Sequence, residues 1–345
     1  INESKRAHNM TTHDYAIGLP RQPDMSDETL QKASWLGYRW FIGEEFDVFD
    51  VKLPDFTITR PVTMTKLRSI VARLYDPLGI VAELTLELRY LMRRLTKAGY
   101  GNAPSNAKGE ILNDDDADAA IDTITWCDNI LKSDRVWAPR YTPLDTIYAF
   151  ADASEASIGI DIRTIDGVRL VARMTTVPGG SIPRRELESI RLLLVTLQDI
   201  LRAARGSVHN CIILGDSSIT LFRIKALLRD PTCKKVVSLP RPERRRLDQI
   251  YNMVRQMRID DPHLTISFCH IRSMYNLADR LTRPRSLYDP SNTPTWTVVK
   301  NELNEPSLVA FKVNEFLRFE DDEVIDTLSD SLSSDASPMG VYPKE

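Results

Sequence analysis

Apolar residues along the chain recur at two spacings, and the elements they predict change character near residue 140. Residues 1 to about 33 are polar and show neither period. Residues 35–41 and 46–53 alternate as strands on either side of Gly43-Glu44-Glu45, which predicts a hairpin. Helical spacing follows. Leu67, Ile70, Val71 and Leu74 share one face of residues 65–75, a helix that stops at Asp76-Pro77-Leu78-Gly79. A second helix is expected over 82–97, ended by Gly99. A third should start at Asp114-Asp115-Asp116, whose charge suits the positive end of a helix, and run to about residue 132.

Pro139 and Pro143 mark a boundary, after which the period shortens. Residues 146–151, 157–163 and 168–174 read as strands, the last two joined at Asp166-Gly167. Pro183 suits the first turn of a long helix reaching about residue 204. Then come a short strand at 211–214, helices near 218–228 and 243–258, a strand at 263–270 and a short closing helix at 276–282. This order is an α/β layer arrangement. A further helix is expected from Thr295-Trp296 toward residue 318, followed by an acidic end with too little apolar surface to order itself. The expected divisions are therefore 1–34, 35–139, 140–284 and 285–345.

Composition narrows the class without naming a function. With 345 residues, 42% hydrophobic and 27% charged, the chain is neither a collagen nor a wholly disordered sequence. No apolar run is long enough to span a membrane, so no membrane partner is expected. Cys127, Cys211, Cys233 and Cys269 are too dispersed for a zinc site and read as reduced thiols of an intracellular protein. The first residue is Ile1 rather than Met, as expected of a piece of a longer product. The net charge of −3 hides an asymmetry: residues 301–345 hold 11 acids against 3 bases. Residues 223–258 carry 11 Lys and Arg against Asp230, Glu243 and Asp248. This block, with Lys234, Lys235, Arg244, Arg245 and Arg246, is either a solvated helix face or a surface for a polyanion.

The α/β block places carboxylates at the ends of elements: Asp152 after the first strand, Glu186 in the first turn of the long helix, Asp216 after the fourth strand and Asp279 in the closing helix. Singly, such residues cap helices or answer helix dipoles. Together, at the carboxyl ends of strands in an open sheet, they would converge on a ligand crevice. Four packed carboxylates repel one another and call for divalent cations, and hard oxygen donors select Mg²⁺ or Mn²⁺ over zinc. Two such ions clamp the attacking and leaving oxygens of a phosphoryl displacement.

The order Asp152-Ala153-Ser154, helix-borne Glu186, Asp216-Ser217-Ser218 and Asn276-Leu277-Ala278-Asp279 resembles the retroelement type of ribonuclease H, most closely the Bel/Pao class of LTR retrotransposon polyproteins. Ile182-Pro183-Arg184 before Glu186-Leu187, and His270 before Asn276 and Asp279, belong to that likeness. Upstream, Trp35-Leu36-Gly37-Tyr38-Arg39-Trp40 is similar to the strand leaving a reverse-transcriptase palm. Thr65-Lys66 with Leu74-Tyr75-Asp76-Pro77-Leu78-Gly79 resembles the thumb and connection segment.

The resemblance implies an RNase H-like mixed sheet with flanking helices over 140–284, preceded by a mostly helical thumb/connection region with a β-hairpin over 35–139. It implies metal-dependent endonucleolytic hydrolysis of the RNA strand of RNA–DNA hybrids. Asp152, Glu186, Asp216 and Asp279 would be the metal ligands, and His270 the histidine that assists proton transfer or product release. Ser154 and Ser217 would cap backbone or donate behind the ligands, and Asn276 would hold the loop or cap the helix before Asp279. The expected partners are the hybrid and the rest of the polyprotein, including the polymerase palm and an integrase; the expected location is the cytoplasm, a virus-like particle or the nucleus. No Tyr-x-Asp-Asp sequence is present, so the chain holds no polymerase site. Asp216-Ser217-Ser218 lacks the Gly of an aspartic peptidase. A decayed nucleic-acid-binding module is the remaining alternative.

Overall fold

The computed structural model describes residues 31–35, 38–42, 47–51, 56–101, 110–133, 137–139, 142, 144–155, 157–176, 180–284, 294–304 and 310–317. Strands β1 (Gln31–Trp35), β2 (Tyr38–Ile42), β3 (Asp47–Val51) and β4 (Trp137–Pro139) form an antiparallel sheet in that order. The expected hairpin is its β2–β3 pair, with Tyr38 opposite Val51. Trp35, expected inside that hairpin, instead ends β1 opposite Tyr38. The Gly43-Glu44-Glu45 turn, the first 30 residues and the acidic end from residue 318 lie outside the described residues.

Helices α1 (Met64–Arg73), α2 (Ala82–Lys97) and α3 (Asp114–Ser133) bury their apolar stripes together, Leu67 and Ile70 against Leu84, Leu88, Ala120 and Ile124. Thr63 caps α1 by accepting a hydrogen bond from Lys66 N. The Asp76-Pro77-Leu78-Gly79 loop between α1 and α2 is pinned at its first residue. The Asp76 carboxylate accepts from the Tyr38 hydroxyl at 2.8 Å and from the backbone N–H groups of Ile80 and Val81 at 2.8 and 2.7 Å. Tyr38 in turn accepts from Leu78 N at 2.8 Å. Gly79 sits at φ +73°, and a Cβ there would fall 1.8 Å from the Ala172 carbonyl oxygen, so only glycine lets the loop meet the second sheet.

That second sheet is six-stranded and mixed. Its strands are β5 (Thr146–Ala153), β6 (Ser157–Thr164), β7 (Arg169–Thr176), β8 (Asn210–Gly215), β9 (Thr265–His270) and β10 (Ala310–Lys312), in the order β10-β9-β8-β5-β6-β7. β5, β8 and β9 run parallel, and the other pairs are antiparallel. Alternation along β5 sends Ile147, Ala149 and Ala151 into a core with α4 (Ile182–Ala204), α5 (Ser218–Arg229) and α7 (Arg241–Asp260), while a four-residue helix α6 (Lys234–Val237) joins the last two. Phe150, from the opposite face, meets Trp296 of α8 (Trp296–Leu303), as does Tyr148. This is an RNase H-like α/β fold. Among the described residues no helix is long and apolar enough to cross a membrane.

Two expectations are corrected. The helix foreseen toward residue 318 ends at Leu303; Pro306 follows in sequence and lacks an N–H, and the chain returns as β10, where Phe311 stacks on Phe268 at 5.3 Å. The sheet thus takes a strand from beyond residue 284. The closing helix at 276–282 is replaced by two 3₁₀ turns, Ser273–Tyr275 and Asp279–Leu281. A segment this short gains too few helical bonds to offset nucleation. Asn276 also commits its buried side chain elsewhere, donating to Ala151 O at 3.0 Å and accepting from Ala278 N at 3.2 Å.

A buried ion network joins α2 to the second sheet. Arg169 of β7 meets both carboxylate oxygens of Glu83, at 2.6 and 2.9 Å, and reaches Asp161 of β6 at 2.6 Å. Arg163 closes a second fork on Asp161, at 2.8 and 3.0 Å. Burial opposes ionisation of Asp161, but Arg163 and Arg169 outweigh it and hold its carboxyl well below the usual range. Asp161→Asn should therefore cost about 3–5 kcal/mol at neutral pH, because two buried guanidinium groups lose their shared counter-charge. A group with a depressed folded pKa stabilises above its unfolded pKa, so the deficit should shrink as pH falls below about 4. Denaturant titrations of parent and variant across pH measure both; a deficit under 1 kcal/mol would show the network to be dispensable.

Candidate active site

The three parallel strands finish at one edge of the sheet, and the candidate carboxylates gather there. Asp152 is the penultimate residue of β5 and Asp216 directly follows β8, whose last residue Gly215 pairs with Ala151. His270 ends β9 opposite Gly215. Glu186 descends from α4, where it is the fifth residue. It thus lies past the first turn, contrary to expectation, and at 7% exposure it faces inward rather than answering the helix dipole. Asp152, Glu186 and Asp216 each bring one carboxylate oxygen into a group whose members all lie within 4.8 Å of one another.

Asp279 stands beside this group rather than in it. It opens the second 3₁₀ turn, forms an ion pair with Arg283 at 2.9 Å, and feels the charge of Asp216. The segment carrying it is tied back to the strands by Asn276 on Ala151 and by Ser273, whose hydroxyl donates to Asp216 Oδ2 at 2.6 Å. The Thr282 hydroxyl donates to Asp152 Oδ2. The His270 ring nitrogen Nε2 lies 3.1 Å from the Asp216 carbonyl oxygen. Ser217 caps α5, accepting from Thr220 N at 3.4 Å, and the Ser154 hydroxyl donates to Thr282 O at 2.8 Å. Asn276 holds the loop. Arg185 is buried and donates to the Ser154 carbonyl at 2.9 Å.

Crowding shows in the protonation of the group. Burial, then the charge of Asp216, pushes Asp152 up to about 7, against the Thr282 hydrogen bond. Burial, then Asp152 and Asp216, pushes Glu186 up to about 9. Burial also raises Asp279, with Arg283 opposing. The donor set is all hard oxygen, partly dehydrated and short of positive charge, which fits a divalent cation.

The expected basic residues separate. Lys234, Lys235 and Arg245 are exposed, and Arg244 is half-buried beside the Val237 carbonyl. Arg246 is turned onto α4, where its Nε meets Glu188 at 2.8 Å. Sequence reasoning passed over Thr282 and Ser273, since a lone hydroxyl carries no pattern until the fold brings it to a carboxylate.

Residues 63–217 match the model of the Pao retrotransposon-like RNaseH-like domain. The matched segment is thus similar to a retroelement RNase H-like domain of the Pao type. This Pao-type match begins at α1, in the helical region, and ends with Asp216-Ser217, so it includes three of the four candidate carboxylates. A search of curated proteins gave no match. Among solved structures, the chain is similar to the N-terminal RNase H domain of rv2228c from Mycobacterium tuberculosis, fused to maltose binding protein, with 14% identity over 40% of this chain and 91% of that one and a TM-score of 0.32. RNase H1 from the halophilic archaeon Halobacterium salinarum is 15% identical over 39% of this chain and 92% of its own, with a TM-score of 0.29. The foamy viral protease-reverse transcriptase in complex with RNA/DNA hybrid is 15% identical; the match covers 75% of this chain and 31% of that one, with a TM-score of 0.39.

The raised carboxyls give a sign to test. A group whose folded pKa is raised adds stability below its unfolded pKa and loses it as pH passes the folded value. With metal chelated, the thermal midpoint of the protein should fall between pH 6 and 9, as Asp152 and Glu186 ionise near 7 and 9. Asp216→Asn should flatten that fall, and Mn²⁺ should abolish it in the parent, because a cation favours the ionised cluster. A parent midpoint that is level from pH 6 to 9 in EDTA would contradict the crowding.

Proposed function

We propose that the chain is a retroelement ribonuclease H that cuts the RNA strand of RNA–DNA hybrids. The observation that carries this reading is the approach of Asp152, Glu186 and Asp216 to within 4.8 Å at the ends of adjacent elements. In this reading those three residues hold Mg²⁺ or Mn²⁺, and Asp279 adds a fourth carboxylate from the neighbouring turn. Divalent ions bound there would supply an activated water and offset the charge on the leaving 3′-oxygen. The protein's own groups do the rest. Ser273 and Thr282 fix the rotamers of Asp216 and Asp152, so that the negative charge is already in position when substrate arrives. His270, on the strand beside Asp216, handles the proton at the departing product. Lys234, Lys235, Arg244 and Arg245 attract the hybrid by its phosphates, without base recognition. Arg246, committed to Glu188, serves that surface structurally.

The test is cleavage of a labelled hybrid with Mg²⁺, against single-stranded RNA and EDTA controls. Asp216→Asn should fold, bind hybrid and lose nearly all cleavage, while Asp145→Asn, whose exposed carboxylate pairs with His209, should change little. Cleavage by Asp216→Asn at close to the parental rate would remove the metal assignment and leave nucleic-acid binding as the better reading. Replacing Lys234, Lys235, Arg244 and Arg245 by Gln should weaken binding alike for hybrids of different sequence and flatten its salt dependence. Unchanged binding at low salt would make the block a solvated face.

A further inference from the structure

The turn that carries Asp279 is clamped from a direction the hydrolytic chemistry does not require. Tyr90, on α2, donates its hydroxyl to the Thr282 carbonyl oxygen at 3.1 Å across 192 residues of sequence. The same oxygen accepts from Ser154 and Ser157, each at 2.8 Å. One residue thus receives three hydroxyls through its carbonyl while its own hydroxyl donates to Asp152. Leu281, fully buried, packs with Ala82 and Leu86 of α2 and with Ala172 and Met174 of β7, with Tyr90 against the same cluster. Below the turn, Gly159 lies opposite Asp152 in the β5–β6 register. A Cβ at Gly159 would stand 2.6 Å from Leu281 Cβ and 3.0 Å from Ala278 O, so the turn rests directly on the strand beside the carboxylates.

We propose that Tyr90 is a positioning residue of the hydrolytic site: through the Thr282 carbonyl it holds the Thr282 hydroxyl on Asp152 and fixes the turn that presents Asp279. This rests on the ribonuclease reading above. It makes the helical region part of the site's support, since the group that locks the last carboxylate comes from α2 and not from the six-stranded sheet. Polar partners one step removed from a metal cluster typically change metal affinity or activity by about 10- to 100-fold when removed. Tyr90 is two steps removed, so the lower figure applies.

The experiment uses the full chain and Tyr90→Phe, which keeps the ring in its apolar seat and deletes only the donor. Two readouts are taken: steady-state hybrid cleavage, and the Mn²⁺ concentration that gives half the metal-induced rise in thermal midpoint without nucleic acid. Tyr90→Phe should lower kcat about 10-fold with KM little changed, and raise the Mn²⁺ half-point by a similar factor. Its midpoint in EDTA should stay within about 2 °C of the parent, since one partly buried hydrogen bond contributes little to the global stability of a chain this long. Thr282→Val should reproduce the effect, Tyr90→Phe with Thr282→Val should add little to it, and Thr282→Ser should restore it. Parental kcat and Mn²⁺ half-point in Tyr90→Phe would overturn the proposal. So would a change confined to KM, or an EDTA midpoint lowered enough to account for the loss. If the parent binds Mn²⁺ but does not cut hybrid, the ribonuclease reading fails while the Mn²⁺ half-points still decide the role of Tyr90. A parent that neither cuts nor responds to Mn²⁺ would overturn both.

Discussion

Three carboxylates held within 4.8 Å of one another, two of them buried, are mutually unfavourable, and most of what surrounds them resists their separation. Each sits on an element that cannot move alone. Asp152 and Asp216 lie on adjacent parallel strands in fixed register, with Ala151 opposite Gly215. Glu186 is anchored by Leu187, Ile190, Leu193 and Leu194 on the same helix, all buried against the sheet. Hydroxyls from Ser273 and Thr282 fasten two of the three carboxylates directly. What remains is negative charge that protons at neutral pH offset only in part. A cation would bind a site whose strain the fold has already absorbed.

The helical region belongs to that support. Glu83 and Arg169 face each other with both partners nearly inaccessible, and such a pair is a poor source of net stability but a strong determinant of alignment. Sliding α2 along β7 would pull Glu83 away from Arg169 and separate buried charges. Leu78 accepts from Ala172 N at 2.8 Å a few residues away, so the loop, the helix and the strand are registered together. The Tyr38–Asp76 bond extends the same registration to the first sheet. The Pao-type match, which starts at α1 and runs through β8, spans this junction.

Much of this was legible in the sequence, and the exceptions have physical causes. The spacing of Leu67, Ile70, Val71 and Leu74, and the Pro and Gly residues that end helices, mark α1 and α2 to within about a turn, because these signals are local. Asp152 and Asp216 stand out in the sequence because strand ends are also locally encoded, and the fold brings Glu186 to them from the helix. β10 escaped notice: three residues, one of them Phe311, carry no period, and only the exposed edge of β9 makes them a strand. The turn at 279–281 resembles a helix in sequence because Asn276 looks like a cap until Ala151 O claims its side chain. Arg246 looked like its neighbours Arg244 and Arg245, yet Glu188 on another helix withdraws it from the surface.

The same distinction bears on where the site's boundaries lie. Residues that carry charge to the reaction announce themselves by type and position, whereas residues that hold them in place are chosen by proximity in the folded chain. Tyr38 and Asp76, 38 positions apart, are jointly meaningful only because one hydroxyl links them to Leu78. Thr282 and Tyr90 are anonymous as letters, yet one carbonyl oxygen places them in line with Asp152. An α/β unit cut at residue 140 would keep Asp152, Glu186, Asp216 and Asp279, but it would strip Glu83 from Arg169 and Tyr90 from the Thr282 carbonyl. Because the network around Asp161 then loses a buried counter-charge and the Thr282 turn loses a donor, such a piece would lose geometry at the carboxylates before it lost its sheet.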